Sequence, residues 1–255
     1  NNIIKSETLF LWAFSSLFFI SHPIAQVNLL GSPKVDLQVR VVHGDCFLQP
    51  KNSAEGKAFS LGNGFKIINR LPFALVSRID SYLEIYNFPQ RSNILRIGQS
   101  SAIEIRNPYH LYFFQGSALF SKRNTAKWKF ETDATHIDVI GNGTWMVETT
   151  VKKGFKIILL EGELQITNGK KSISLNSGEL LLVGEKEGHI SQKIQIDLPL
   201  LFKTCRLLNN FESELPSKSR IISAAQVQAL RLKKRYEAVV GGVKDNKLQI
   251  WAIKK

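Results

Sequence analysis

From Val139 to Glu185 the chain alternates β-forming runs with single glycines, a pattern that admits short strands folded back on one another and little else. Lys156–Glu161 and Glu163–Ile166 carry β-formers on either side of Gly162, and Asn168-Gly169 is a type I′ hairpin signal. In Gly143-Thr144-Trp145-Met146-Val147 a glycine permits a sharp bend, after which Trp145 begins a strand able to bury its ring in a sheet interface.

An internal echo extends the pattern. Val41-Val42-His43-Gly44-Asp45-Cys46-Phe47-Leu48, followed by Leu61-Gly62-Asn63-Gly64, repeats the scheme of Leu159–Ile166 followed by Leu175-Asn176-Ser177-Gly178. The spacing from glycine to leucine is 17 residues in the first copy and 13 in the second, so the first hairpin is longer by four. Such strand-turn-strand units bury their apolar faces only by stacking.

Three motifs in this order resemble the FecR-type periplasmic signalling domain. They are Gly143-Thr144-Trp145-Met146-Val147, Leu160-Glu161-Gly162-Glu163-Leu164-Gln165-Ile166, and Leu175-Asn176-Ser177-Gly178-Glu179. Trp145 stands where Phe is usual in the family. Upstream, Leu111–Phe120, with Gly116 and Ala118, is similar to the family's strand pair. The resemblance spans 35–190 and implies a non-catalytic sensing or protein-interaction module. Its implied partner is a protein of the bacterial envelope, such as the signalling domain of an outer-membrane receptor. Many family members carry a cytoplasmic domain that holds a sigma factor; only eight residues precede the apolar run described next, so a stand-alone exported form is the expectation.

Residues 1–25 read as an export signal, with Lys5 in a weakly basic start, an apolar stretch from Leu9 to Ile20, and Ala25 before Gln26. The apolar stretch is shorter than the roughly 20 residues of a membrane-spanning helix. A periplasmic or cell-envelope location follows as an expectation. In that compartment Cys46 and Cys205 have two readings: a disulfide tying the first repeat to the C-terminal region, or two buried thiols acting as small hydrophobes.

The net charge of +13 favours anionic partners, which for an exported protein means lipid head groups, lipopolysaccharide or acidic cell-wall polymers rather than nucleic acid. The densest basic cluster, Arg231, Lys233, Lys234 and Arg235, falls in a stretch from Ser223 to Val240 that reads as one amphipathic helix. Ser223 and Gln226 would form its capping box, Val227 and Leu230 would lie on one stripe with Lys234 and Ala238, and Gly241-Gly242 would end it. Lys247–Ile253 alternates as a last strand. Residues 191–220, polar and broken by Pro216 over Leu207–Arg220, read as a linker to this appendage at 221–255.

Catalytic chemistry finds little support. The turn pattern around Glu161-Gly162 and Ser177-Gly178-Glu179 also looks like a metal-binding cupin, but only His136-Ile137-Asp138 approaches its ligand spacing; His22, His43, His110 and His189 stand apart. Glu161, Glu163 and Glu179 read as solvated carboxylates beside turns. Tyr109, Tyr112 and Phe113, beside His110, suit sheet packing first and a carbohydrate-stacking surface second. The expectation is an all-β protein that takes no cofactor, a jelly-roll-like β-sandwich or short β-solenoid of stacked hairpins with a small C-terminal helix and strand. An envelope-surface module recognising anionic polysaccharide or lipid head groups is the alternative to a protein-binding one.

Overall fold

The computed structural model describes residues 34–51, 57–89, 92–232, 237–240 and 250–253, so the export-signal region, Lys233, Lys234, Arg235 and Gly241-Gly242 lie outside the described residues. The strands in chain order are β1 (Lys34–His43), β2 (Cys46–Pro50), β3 (Phe59–Ser60), β4 (Lys66–Arg70), β5 (Phe73–Ser77), β6 (Tyr82–Tyr86), β7 (Ile94–Ile97) and β8 (Ser101–Asn107). There follow β9 (His110–Gln115), β10 (Ser117–Glu131), β11 (His136–Thr149), β12 (Phe155–Asn168), β13 (Lys171–Asn176), β14 (Glu179–Val183) and β15 (Ile194–Gln195). Three helices, α1 (Leu198–Thr204), α2 (Arg206–Asn209) and α3 (Lys218–Leu232), then lead to β16 (Glu237–Val240) and β17 (Ile250–Ile253). The first fifteen strands belong to one mixed sheet, in which β9 is parallel to β10 and antiparallel to β8, while β16 and β17 form a hairpin of their own.

The expected all-β class is what the chain adopts, with a helical region near its C-terminus. The hydrogen-bonded sheet divides into two runs. The first runs β4-β1-β6-β7-β10-β11-β12-β14-β15, and the second β3-β2-β5-β8-β9-β10-β11-β12-β13. The long strands β10, β11 and β12 pass through both runs, changing register between Lys122 and Ala126 and between Thr144 and Trp145. Elsewhere the passage from one run to the other is made at Gly44 (β1 to β2), at 78–81 (β5 to β6) and at 98–100 (β7 to β8). Alternation along each strand then turns one set of side chains inward. Leu37, Leu83, Leu95, Phe120, Trp145 and Ile157 of the first layer share one buried cluster with Leu75, Ile103, Phe113, Trp128, Phe130 and Ile166 of the second.

The sequence echo is a repeat of topology. β1 turns at Gly44 into β2, β2 pairs with β3, and the chain returns as β4 beside the first half of β1. In the second copy β12 bends at Gly162, its later half pairs with β13, and the chain returns as β14 beside its first half. The same corner is closed in each copy by a glycine N–H: Gly64 donates to the Val39 carbonyl (2.9 Å) and Gly178 to the Leu159 carbonyl (2.8 Å). Leu61 and Leu175, the matching leucines, are both buried.

The outer face of the first layer is covered. Ile94, Leu119, Met146, Ile158 and Leu180, the outward partners of the core residues, form a second buried cluster with Leu198, Leu201, Cys205, Leu207, Phe211, Leu215, Ile221 and Ala225. The linker expectation for 191–220 is therefore corrected. Its leucines and Phe211, spaced among polar residues, are the cover of a sheet face rather than a tether. The helix expectation is corrected as well. α3 begins at Lys218, so Ser223 lies inside it, and it ends at Leu232, while Glu237–Val240 is a strand paired with Ile250–Ile253. Its buried stripe is Ile221, Ala225 and Gln228; Val227 and Leu230, on the stripe read from sequence, are 48% and 67% exposed. The final strand pairs with β16 and not with the large sheet.

Candidate functional site

The family-motif residues meet where β11 and β12 bend together. Gly143 and Gly162 are direct cross-strand partners with φ of +114° and +97°, and a Cβ on Gly143 would stand 2.1 Å from the Glu161 carbonyl oxygen. Only glycine permits both that backbone and that approach. Thr144 follows, fully buried on the outer side of the first layer, with its hydroxyl 2.9 Å from Glu161 Oε1, 2.6 Å from Ser217 Oγ and 3.2 Å from Ser121 Oγ. Arg220 of α3 donates to Glu161 from Nε (3.1 Å) and Nη2 (3.2 Å). Glu161 is thus a buried anchor for the helical cover and not a solvated carboxylate. Glu179 is likewise buried: it accepts from the Asn176 N–H (2.8 Å) and from Gln195 (3.1 Å), with Lys193 at 3.2 Å. Glu163 is exposed, as expected. Trp145, Val147 and Leu175 belong to the inter-layer core, where Trp145 stacks on Phe120 with centroids 5.5 Å apart. Gly178 has φ +81°, and a Cβ there would strike the Gln228 side chain, which donates to the Gly178 and Ile196 carbonyls and accepts from the Leu198 N–H. This motif set builds the fold and presents no reactive group.

A second buried assembly holds the cover down. Arg96 and Glu84, both completely buried, pair at 2.7 Å (Nε to Oε2). Arg96 also donates from Nη1 to the Leu207 carbonyl (2.8 Å) and from Nη2 to the Ser213 carbonyl (2.5 Å), and its guanidinium lies 4.2 Å from the Phe211 ring centroid. Burial pulls the Arg96 pKa down, opposed by the charge and hydrogen bond of Glu84. Sequence reading missed this pair, whose members stand in ordinary alternating strands.

The outer face of the second layer, on which no element packs among the described residues, holds the candidate site, a groove of about 460 Å³ lined by Asn107, Tyr109, His110, Lys127, Lys129, His136 and Asp138. Register builds it. Asn107 faces His110, His110 and Asp138 both face Lys129, and one step along the strands Glu104 faces Tyr112, which faces Glu131, which faces His136. Lys127 pairs with Asp138 (2.8 Å), His110 Nε2 donates to Glu131 (2.7 Å), and Arg106 reaches both Glu131 (3.0 Å) and Glu104 (2.9 Å) while lying over the Tyr112 ring at 4.1 Å. Burial raises the Glu131 pKa, but the bond from His110 and the charges of Arg106 and Lys129 outweigh it, so this carboxyl sits below the usual range. Tyr112, buried and hydrogen-bonded to Asp133, is pushed up to about 12. Of the aromatics singled out in the sequence, Phe113 is core, Tyr112 is buried under Arg106, and Tyr109 lines the groove.

Other candidates disperse. Cys46 and Cys205 are free thiols in separate clusters: Cys46 lies between the layers and Cys205 under the cover, with Sγ 3.7 Å from Met146 Sδ. The disulfide reading gives way to the buried-thiol reading. Burial pushes both thiols up to about 11. Arg231 is exposed in the last turn of α3. Among the described residues no group of three His, Cys, Asp or Glu side chains is placed to hold a metal ion; His136 and Asp138 both reach the groove, but without a third ligand.

No protein-family model matches the chain, and no curated protein does. Among solved structures, the crystal structure of a candidate anti-sigma factor from Parabacteroides distasonis is similar with a TM-score of 0.39 and 10% identity, covering 72% of this chain and 100% of that one. The FecR resemblance thus rests on the motif residues themselves.

Proposed function

We propose that this chain is a non-catalytic binding module of the bacterial envelope that takes an anionic partner along the groove on its second layer. The observation that carries the reading is the Asn107–His110–Lys129–Asp138 row, which sets amide, imidazole, ammonium and carboxylate groups beside the Tyr109 ring on an open sheet face. That mixture hydrogen-bonds hydroxyls, stacks on a sugar ring and neutralises acid groups, which suits an acidic polysaccharide or a lipid head group. A net charge of +13 adds long-range attraction of the same sign. No cofactor enters this reading.

Binding of the full chain to acidic cell-wall polymer or lipopolysaccharide fragments tests it. Binding weakens steeply as salt rises, because the screening length falls from about 10 Å at 0.1 M to about 3 Å at 1 M. The double variant Lys127→Gln/Lys129→Gln weakens binding about tenfold or more at low salt, the loss of roughly 1.4 kcal/mol or more of attraction. Binding unchanged by both manipulations overturns the proposal.

The FecR resemblance supplies a second reading, docking to an envelope protein in a signalling complex. The outer edge of β13, which among the described residues pairs only with β12, favours it by offering backbone groups to an added strand. Capture that persists at 1 M salt is its signature.

A further inference from the structure

The helical cover carries a cavity of its own. It measures about 160 Å³ and lies among α1, the end of α2, the segment 210–217 and the start of α3. Its apolar walls are Phe202, Leu208, Phe211, Leu215 and Ile221, each of which belongs to, or packs on, the cluster under the cover. An apolar cavity of about 150 Å³ is large enough to take a benzene ring. The space beside these five side chains therefore matches one ring or one short branched chain.

The segment that closes the cavity is held from beneath. Arg96 donates to the Leu207 carbonyl at one end of it and to the Ser213 carbonyl at the other, and Ser213 Oγ donates to Glu84 Oε1 (2.6 Å). Burial alternates along this stretch: Phe211 and Leu215 turn down into the cluster, and Glu212 and Glu214 are left exposed above them. Because the anchor is a completely buried ion pair, the wall is part of the fold, and a ligand does not have to order it first.

The mouth of the cavity offers acceptors. Glu214 is paired with Lys218, the first residue of α3. Glu212 makes no hydrogen bond or ion pair with any described residue. Asn209 donates from Nδ2 to the Phe202 carbonyl (2.7 Å), and its Oδ1 remains as an acceptor. We infer that this cavity is a binding site for a small primary amine carrying one ring or one short branched hydrocarbon group. The hydrocarbon part fills the space between Phe202, Leu208 and Ile221, and the ammonium donates to the Glu212 carboxylate and to Asn209 Oδ1. A ligand carboxylate in that position would meet Glu212 with like charge. The cavity shares no residue with the groove of the second layer, so the inference does not rest on the groove's reading.

Titration of the full chain with 2-phenylethylammonium chloride at pH 7 and constant ionic strength, followed at the methyl resonances of Leu215 and Ile221 by nuclear magnetic resonance, tests the inference. A saturable shift is expected. The uncharged analogue 2-phenylethanol binds about threefold or more weakly, the scale of one solvent-facing ion pair. The anion 3-phenylpropionate binds about tenfold or more weakly, because its charge is repelled where the ammonium is attracted. Glu212→Gln, a change at an exposed side chain, removes the preference for the amine over the alcohol, and Leu208→Trp fills the cavity and abolishes the saturable shift. No saturable shift with the amine, an alcohol or carboxylate that binds as tightly as the amine, or a preference that survives Glu212→Gln overturns the inference.

Discussion

Trp145 shows how much a single side chain carries here. Its ring is fully buried between the layers and stacks on Phe120, and the glycine two positions before it supplies the bend that brings it inward. Trp145→Ala opens a ring-sized hole in a close-packed interior, and the loss is about 3–5 kcal/mol. Urea melts of the full chain measure it directly; a loss below about 1 kcal/mol would mean that the ring does not serve as core. Both facts about this segment were legible in the sequence, since Gly-Thr-Trp before an alternating run calls for a bend and then a buried aromatic. What stayed illegible was Thr144, a small polar residue whose three hydroxyl contacts come from Ser121, Glu161 and Ser217, on three separate segments of the chain.

The strands were readable as elements because alternation and turn glycines are local, and the β1–β4 and β12–β14 correspondence was visible for the same reason. The helical cover was not. Its apolar residues are diluted by polar ones over Leu207–Arg220, and the face it buries was fixed by a sheet surface far off in sequence. The groove was half visible: His110, His136, Asp138 and the neighbouring aromatics stood out, whereas Lys127 and Lys129 join them only through strand register. Cover and sheet meet through Arg96 and Glu84, so the pair is where their attachment is tested. Arg96→Met leaves the buried Glu84 carboxylate with only the Ser213 hydroxyl (2.6 Å) and Arg40 at 3.7 Å, and destabilises by roughly 3–5 kcal/mol, while Arg96→Met/Glu84→Gln recovers part of that loss because the poorly compensated charge is gone. Thermal or urea unfolding of the two variants checks the order; equal losses in both would show that the charge pair is not what matters there.

Among the described residues, β1 to β15 make two β layers by folding one sheet over a shared core, with the helical segment packed on the outer face of one layer and no described element packed on that of the other. That asymmetry is why the proposed binding is placed on the second layer, since the helices pack on the outer face of the first. It also settles the cysteines. Cys46 lies in the inter-layer cluster and Cys205 in the cluster under the cover, so bonding them would require one to leave its core. A thiol whose pKa burial has pushed up to about 11 is protonated near pH 8 and is a poor nucleophile for exchange. Protein purified without reductant therefore releases both thiols to a colorimetric thiol reagent in denaturant and almost none when folded. Its unfolding midpoint is the same with and without reductant, whereas a disulfide across so long a loop would contribute about 2–5 kcal/mol that reductant removes. No reactive thiol in non-reducing denaturant, together with a midpoint that drops on reduction, would instead mean that the two clusters exchange partners when the chain is oxidised.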